Sequence, residues 1–94
     1  MSTPVTMYGA DWCGDCRRSK RQLEQLGVAF VYRDVEASEA ESDEAIRISG
    51  RQSIPVIVLP DGSHLVEPSN PELESELRRV GVLVDSKGSG RVDL

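Results

Sequence analysis

The chain has two cysteines, Cys13 and Cys16, and they stand three positions apart in the stretch "ADWCGDC". Sulfurs at i and i+3 share a helix face, so the pair can meet with hardly any backbone movement. If Cys13 lies at the mouth of a helix, unpaired N–H groups and the positive end of the dipole converge on it and favour thiolate over thiol. Cys13 is then expected as the nucleophile and Cys16, one turn behind, as the resolving thiol. Gly14 would let the backbone turn tightly into the helix and leave Cys13 open to a bulky partner.

Other uses of the pair fare worse. A zinc site needs four ligands, and the sole histidine, His64, sits far along the chain beside a turn. A structural staple across so short a loop stabilises little, because loop-closure entropy grows with loop length. A redox centre explains the spacing. Asp15 suits a helix N-terminus, yet it also stands near the Cys13 sulfur. At ~7 Å and an effective dielectric between 20 and 80, its repulsion of a thiolate is roughly 0.6–2.4 kcal/mol. Asp15 is therefore expected to tune the thiol without disabling it, and to disfavour acidic partners on its side. Trp12 fits either a wall of a docking groove or a ring half-buried on the preceding strand.

The totals bound the rest. Ninety-four residues, 38% hydrophobic and 29% charged, describe one ordinary globular domain. A net charge of −5 argues against nucleic acid as a partner. No apolar run approaches the ~20 residues of a spanning helix, so no membrane partner is expected. The N-terminus lacks a basic region followed by an apolar one and does not read as an export signal. A cytoplasmic location is the expectation, and in that reducing setting a lone Cys pair is metal-binding or catalytic rather than a permanent bridge. Charge is uneven: Arg17, Arg18, Lys20 and Arg21 follow the pair, while acids collect in "DVEASEAESDE" and "NPELESE". The basic run fits a small anionic partner or a solvated helix face.

The elements that must position the pair follow from periodicity. "VTMY" reads as a first strand, ended by Gly9. Cys16, Ser19, Leu23 and Leu26 fall at helical spacing, and Gly27 follows as a stop. "AFVYRDV" is a second strand. Ser38 with Glu41 predicts a capping box opening a helix to Gly50. "PVIVL", residues 55–59, reads as a strand buried on both faces. Asp61-Gly62 suits a hairpin turn into "HLV", residues 64–66. "SNPE" opens a last helix with Leu73, Leu77 and Val80 on one face. The order β-α-β-α-β-β-α implies an α/β fold with a parallel core, to which the last hairpin adds an antiparallel strand. Residues 83–94 have the composition of a flexible tail, leaving residues 1–82 as the domain.

Over about residues 4–82 the chain resembles the glutaredoxin branch of the thioredoxin fold. The resemblance is carried by Trp12-Cys13-Gly14-Asp15-Cys16 after a strand, by "GRQSIPVIV" and by "PDGSHLVEPSN". It implies a central four-stranded mixed sheet with flanking helices, and a cis peptide bond at Pro55 lying against the Cys pair. The Ile54 backbone would be free to pair with an extended thiol peptide. It also implies that Arg51 and Gln52 contact a small thiol, with Ser69 and Asn70 offering donors at a helix N-terminus. The family's basic residue before the first Cys is absent, Ala10 standing there, and its Gly-Gly is replaced by Glu67-Pro68. The "EPSN" ending is more like the mycoredoxin group, which uses mycothiol. The expectation is thus a monomeric thiol–disulfide oxidoreductase. It would use mycothiol rather than glutathione as co-substrate, hold no tightly bound cofactor or metal, and act on disulfide-containing client proteins. The alternatives are a [2Fe–2S] cluster-binding glutaredoxin and a redoxin reduced directly by a thioredoxin-reductase-like flavoenzyme.

Overall fold

The computed structural model describes residues 4–83. Seven elements follow in the expected order: β1 (Val5–Gly9), α1 (Gly14–Gln25), β2 (Phe30–Asp34), α2 (Glu39–Ser49), β3 (Val56–Val58), β4 (His64–Val66) and α3 (Asn70–Arg79). The strands form one mixed sheet in the order β2-β1-β3-β4. Residues 84–94, most of the expected tail, lie outside the described residues. The expected boundary at 82 is not a break in packing, since Val82 and Leu83 both rest against the core.

Side-chain alternation along β1 divides that core into two layers. Val5 and Met7 point to one face, where they meet Cys16 and Leu23 of α1 and Leu73 and Leu77 of α3. Tyr8 points to the other, packing with Ala45 of α2 and Val56. Interior strand β3 is covered from both sides, and Val56 and Ile57 are fully buried. This is what its unbroken apolar run required. Truncating a buried side chain such as Leu23 to Ala should cost about 2–5 kcal/mol.

Two local expectations differ from the structure. The sheet core is not parallel throughout: β1 pairs with β2 in parallel but with β3 antiparallel. After α2, Gly50 takes a left-handed conformation with φ 79°, and residues 51–55 carry the chain back. β3 therefore begins opposite Tyr8, beside the end where β1 finishes. The Ser38–Glu41 capping box also does not form. The Ser38 hydroxyl accepts from the Ala40 N–H at 3.2 Å, while Glu41 turns to Arg33 at 3.3 Å. The reciprocal box forms at α3 instead. There Ser69 Oγ accepts from the Glu72 N–H and the Glu72 carboxylate accepts from the Ser69 N–H, each at 3.2 Å.

Candidate active site

The cysteine pair sits where β1 gives way to α1. The Cys13 N–H donates to the Ala10 carbonyl at 3.1 Å, closing a turn through Asp11 and Trp12. Cys13 is the N-cap residue of α1, with φ −84° and ψ 121°. Its Sγ accepts from the Cys16 N–H at 3.4 Å. A sulfur thus occupies the place that the Ser38 and Ser69 hydroxyls take at the other two helices, at the positive end of the dipole.

Both thiols are free, Cys13 partly exposed and Cys16 buried. Burial, first, and a hydrogen bond with Cys13 push the Cys16 thiol up to about 12. Each sulfur therefore has a distinct place: one open at the helix mouth, one protonated and hidden behind it. What hides Cys16 is partly Gly9, a residue that sequence reasoning treated only as the end of a strand. A Cβ built there would lie 2.9 Å from Cys16 Sγ and 3.2 Å from Cys16 Cβ. The strand can end against the thiol only because that position is bare. Gly14, by contrast, has a helical backbone, and a Cβ on it would meet nothing nearer than Arg17 Nη2 at 3.8 Å. The tight turn expected of Gly14 is not made, and its bareness serves only to leave open space next to Cys13.

Four of the residues named from sequence come together in one groove. Trp12 is 66% exposed, so its ring is not half-buried on β1. With Arg51, Gln52, Ser53 and Ile54 it lines a cleft of about 310 Å³. The Ile54–Pro55 peptide bond is cis, as the resemblance implied. Cys13 and Ile54 pack against the same buried cluster that contains Cys16. The Ile54 backbone enters no hydrogen bond among the described residues, whereas the Pro55 carbonyl accepts from the Glu67 N–H at 3.0 Å.

Ser69 and Asn70 lie elsewhere. Ser69 is engaged in its capping box, and Asn70 lines a second groove of about 380 Å³ with Gly14, Arg17, Arg18 and Arg21. Arg18 ties this side together. It pairs with the Asp15 carboxylate at 2.8 Å and donates to Asn70 Oδ1 at 3.2 Å and the Pro68 carbonyl at 2.9 Å. Asp15 is therefore a partner in a clasp rather than the free charge the sequence suggested. The spacing of Asp15 and Arg18 was visible in the sequence, but the reach to residues 68–70 was not. Glu67, standing where the resembled family has glycine, keeps a left-handed backbone with φ 50°. Among the described residues, no three His, Cys, Asp or Glu side chains converge as metal ligands. His64 lines a separate groove with Thr6 and Tyr8. Nor is any described helix long and apolar enough to cross a membrane.

Comparison with known proteins agrees with this geometry. The glutaredoxin family model matches residues 5–65. A Mycobacterium tuberculosis protein provisionally named a glutaredoxin is 28% identical over 81 residues, covering 85% of this chain and 96% of its own. Glutaredoxin 3 of Escherichia coli is 33% identical over 61 residues, 65% of this chain and 72% of its own. The crystal structure of a glutaredoxin from Archaeoglobus fulgidus superposes with a TM-score of 0.72 at 29% identity, over 83% of this chain and 88% of that one. An open sulfur capping α1, a buried one behind it and the family match together make this chain a member of the glutaredoxin family, a thiol–disulfide oxidoreductase.

Proposed function

We propose that the chain reduces mixed disulfides between client proteins and a low-molecular-weight thiol, with mycothiol preferred to glutathione. The observation that carries the mechanism is the asymmetry of the pair. Cys13 is partly exposed and its Sγ accepts from the Cys16 N–H, while Cys16 is buried with its thiol raised to about 12. Only Cys13 is placed to attack. Its thiolate bonds to the sulfur of the small thiol, the old disulfide breaks, and the client sulfur leaves with the electron pair to be protonated. A second small thiol then attacks the sulfur of the retained one, forming a small-molecule disulfide and releasing the Cys13 thiolate. Alternatively Cys16, on losing its proton, attacks Cys13, the retained thiol leaves, and the Cys13–Cys16 disulfide results. Trp12, Arg51, Gln52 and Ile54 are proposed to hold the small thiol, with the Ile54 backbone pairing to it.

The preference for mycothiol rests on charge. Glutathione brings carboxylates and mycothiol a neutral sugar, yet Ala10 replaces a basic residue and Glu67 places a carboxylate where the resembled family has none. Glu36 also lines the Trp12 groove, offsetting Arg51, the one cation in its lining. We assign the work to a cytoplasmic monomer acting on disulfide-bearing clients. In a coupled NADPH assay we expect faster turnover with mycothiol than with glutathione, and little with a thioredoxin-reductase-like flavoenzyme alone. Dominance of the last route would refute the small-thiol reading. Visible absorbance after anaerobic purification would instead favour a cluster, for which each copy has one accessible sulfur to give.

Replacement of the two sulfurs tests the roles directly. Cys13→Ser should abolish reduction. Cys16→Ser should keep the one-cysteine route and accumulate the small thiol on Cys13, read by mass spectrometry. An adduct on Cys16 of the unaltered chain would reverse the assignment.

A further inference from the structure

Most of the positive charge outside ion pairs among the described residues gathers on α1. Among the described residues, Arg18, Arg33, Arg47, Arg78 and Arg79 are all in ion pairs. The cations without one are Arg51, in the Trp12 groove, and Arg17, Lys20 and Arg21, all on α1 immediately after the cysteines. Two of these last are held in place without being neutralised. Arg17 donates to the Asp11 carbonyl at 2.8 Å, and Lys20 Nζ lies 4.4 Å from the centre of the Tyr32 ring. Both contacts fix a side chain while leaving its charge to act outward.

Two of these three cations also stand between two grooves. Arg17 and Arg21 line the groove of about 350 Å³ that opens on Cys16 and Tyr32. They line as well the groove of about 380 Å³ that reaches Gly14 and Asn70. Asp11 and Glu24 temper the first groove; no carboxylate lines the second, and Asp15 beside it is paired to Arg18. The Trp12 groove assigned to the small thiol shares no lining residue with either of these two grooves, which leaves the α1 cations for the client polypeptide.

We propose that the basic face of α1 formed by Arg17, Lys20 and Arg21 docks client proteins whose redox cysteine is flanked by acidic residues. The charges act mainly on encounter, drawing the client's carboxylates onto α1 so that its disulfide arrives over Cys13. This rests on Cys13 being the attacking sulfur and adds which clients it meets.

The test uses the full, reduced chain in single-turnover quench experiments. The substrates are peptides whose one cysteine carries the same neutral 2-hydroxyethylthio group, flanked by Glu or by Lys. Bis(2-hydroxyethyl) disulfide measures the chemistry alone. At low ionic strength the Glu-flanked peptide should react about tenfold faster than the Lys-flanked one. The gap should close as the Debye length falls from ~30 Å at 0.01 M to ~8 Å at 0.15 M salt. The double variant Lys20→Gln with Arg21→Gln leaves the Arg17–Asp11 bond in place. It should lose most of the Glu preference while reducing bis(2-hydroxyethyl) disulfide at the unaltered rate. Equal rates for the two peptides at low salt, or an unchanged preference in the double variant, would overturn the proposal. Failure of the unaltered chain to reduce the small disulfide would overturn the redox reading beneath it, so the two failures are distinct.

Discussion

Gly9→Ala places one methyl group against the resolving thiol, and the structure fixes the sign of its effect. In an ordinary strand the change should stabilise by about 0.5–1 kcal/mol, because alanine loses less conformational freedom on folding. Here the new Cβ would sit 2.9 Å from Cys16 Sγ and 3.2 Å from Cys16 Cβ. Cys16 is 1% exposed, with Met7 also near the new atom at 3.5 Å. Overpacking of a filled core costs typically about 1–3 kcal/mol, so the net effect should be destabilising by about 1–2 kcal/mol. Urea unfolding monitored by far-UV circular dichroism gives this value from the midpoint at constant slope. A shift in melting temperature of roughly 4–8 °C per kcal/mol should accompany it. The decisive arm is a double-mutant cycle with Cys16→Ala, which removes the closest atom but keeps the Cβ. In that background the Gly9→Ala penalty should shrink by at least half. If Gly9→Ala stabilises the chain, or costs the same with and without the Cys16 sulfur, the claim that β1 ends bare to seat the thiol is wrong.

Other outcomes follow from neighbouring features. Glu67→Gly should stabilise by up to about 1 kcal/mol in urea, since the left-handed backbone costs a side-chain-bearing residue about 1–2 kcal/mol and glycine returns part of that as entropy; a loss of stability would refute the strain. Arg18→Ala should cost about 1–2 kcal/mol, because three acceptors lose a partner at a half-exposed site, and should speed amide exchange over residues 68–72. Stability should also fall with pH from the Cys16 thiol. Its folded value is raised to about 12 against ~8.5 when unfolded, so its contribution is complete below pH ~8.5 and is lost as pH rises toward the folded value. The clean window is about pH 8.5–10, before Tyr8 and Tyr32, both also raised by burial, add the same sign. Cys16→Ala should flatten that window, as seen in urea midpoints across it.

The reach of the sequence is best judged at particular residues. Helix α1 was legible because Cys16, Ser19 and Leu23 repeat at helical spacing, and all three are buried on its inner face. β3 was legible because an interior strand needs an unbroken apolar run. The capping box was misplaced because Ser38–Glu41 and Ser69–Glu72 have the same local pattern. What separates them is Arg33, on a strand distant in sequence, which draws Glu41 away. The direction of β3 was misread for a related reason: β-α-β alternation specifies which elements occur, whereas the loop after Gly50 decides from which end the strand enters.

The sequence by itself determined the chemistry: two sulfurs at i and i+3 on a helix that a strand feeds, a proline-led apolar strand to lie near them, and the class of reaction these permit. Those are consequences of local spacing, which the chain cannot hide. Only the tertiary structure decided which contacts each neighbour makes. It sent Asp15 to Arg18 and Arg18 to Asn70, gathered Trp12 with Arg51 and Gln52, and set Gly9 bare against Cys16. It also left Arg17, Lys20 and Arg21 on α1 outside every ion pair among the described residues. Pairings of that kind depend on which surfaces meet across the fold, and side chains compete for the same partner only once the backbone has brought them within reach.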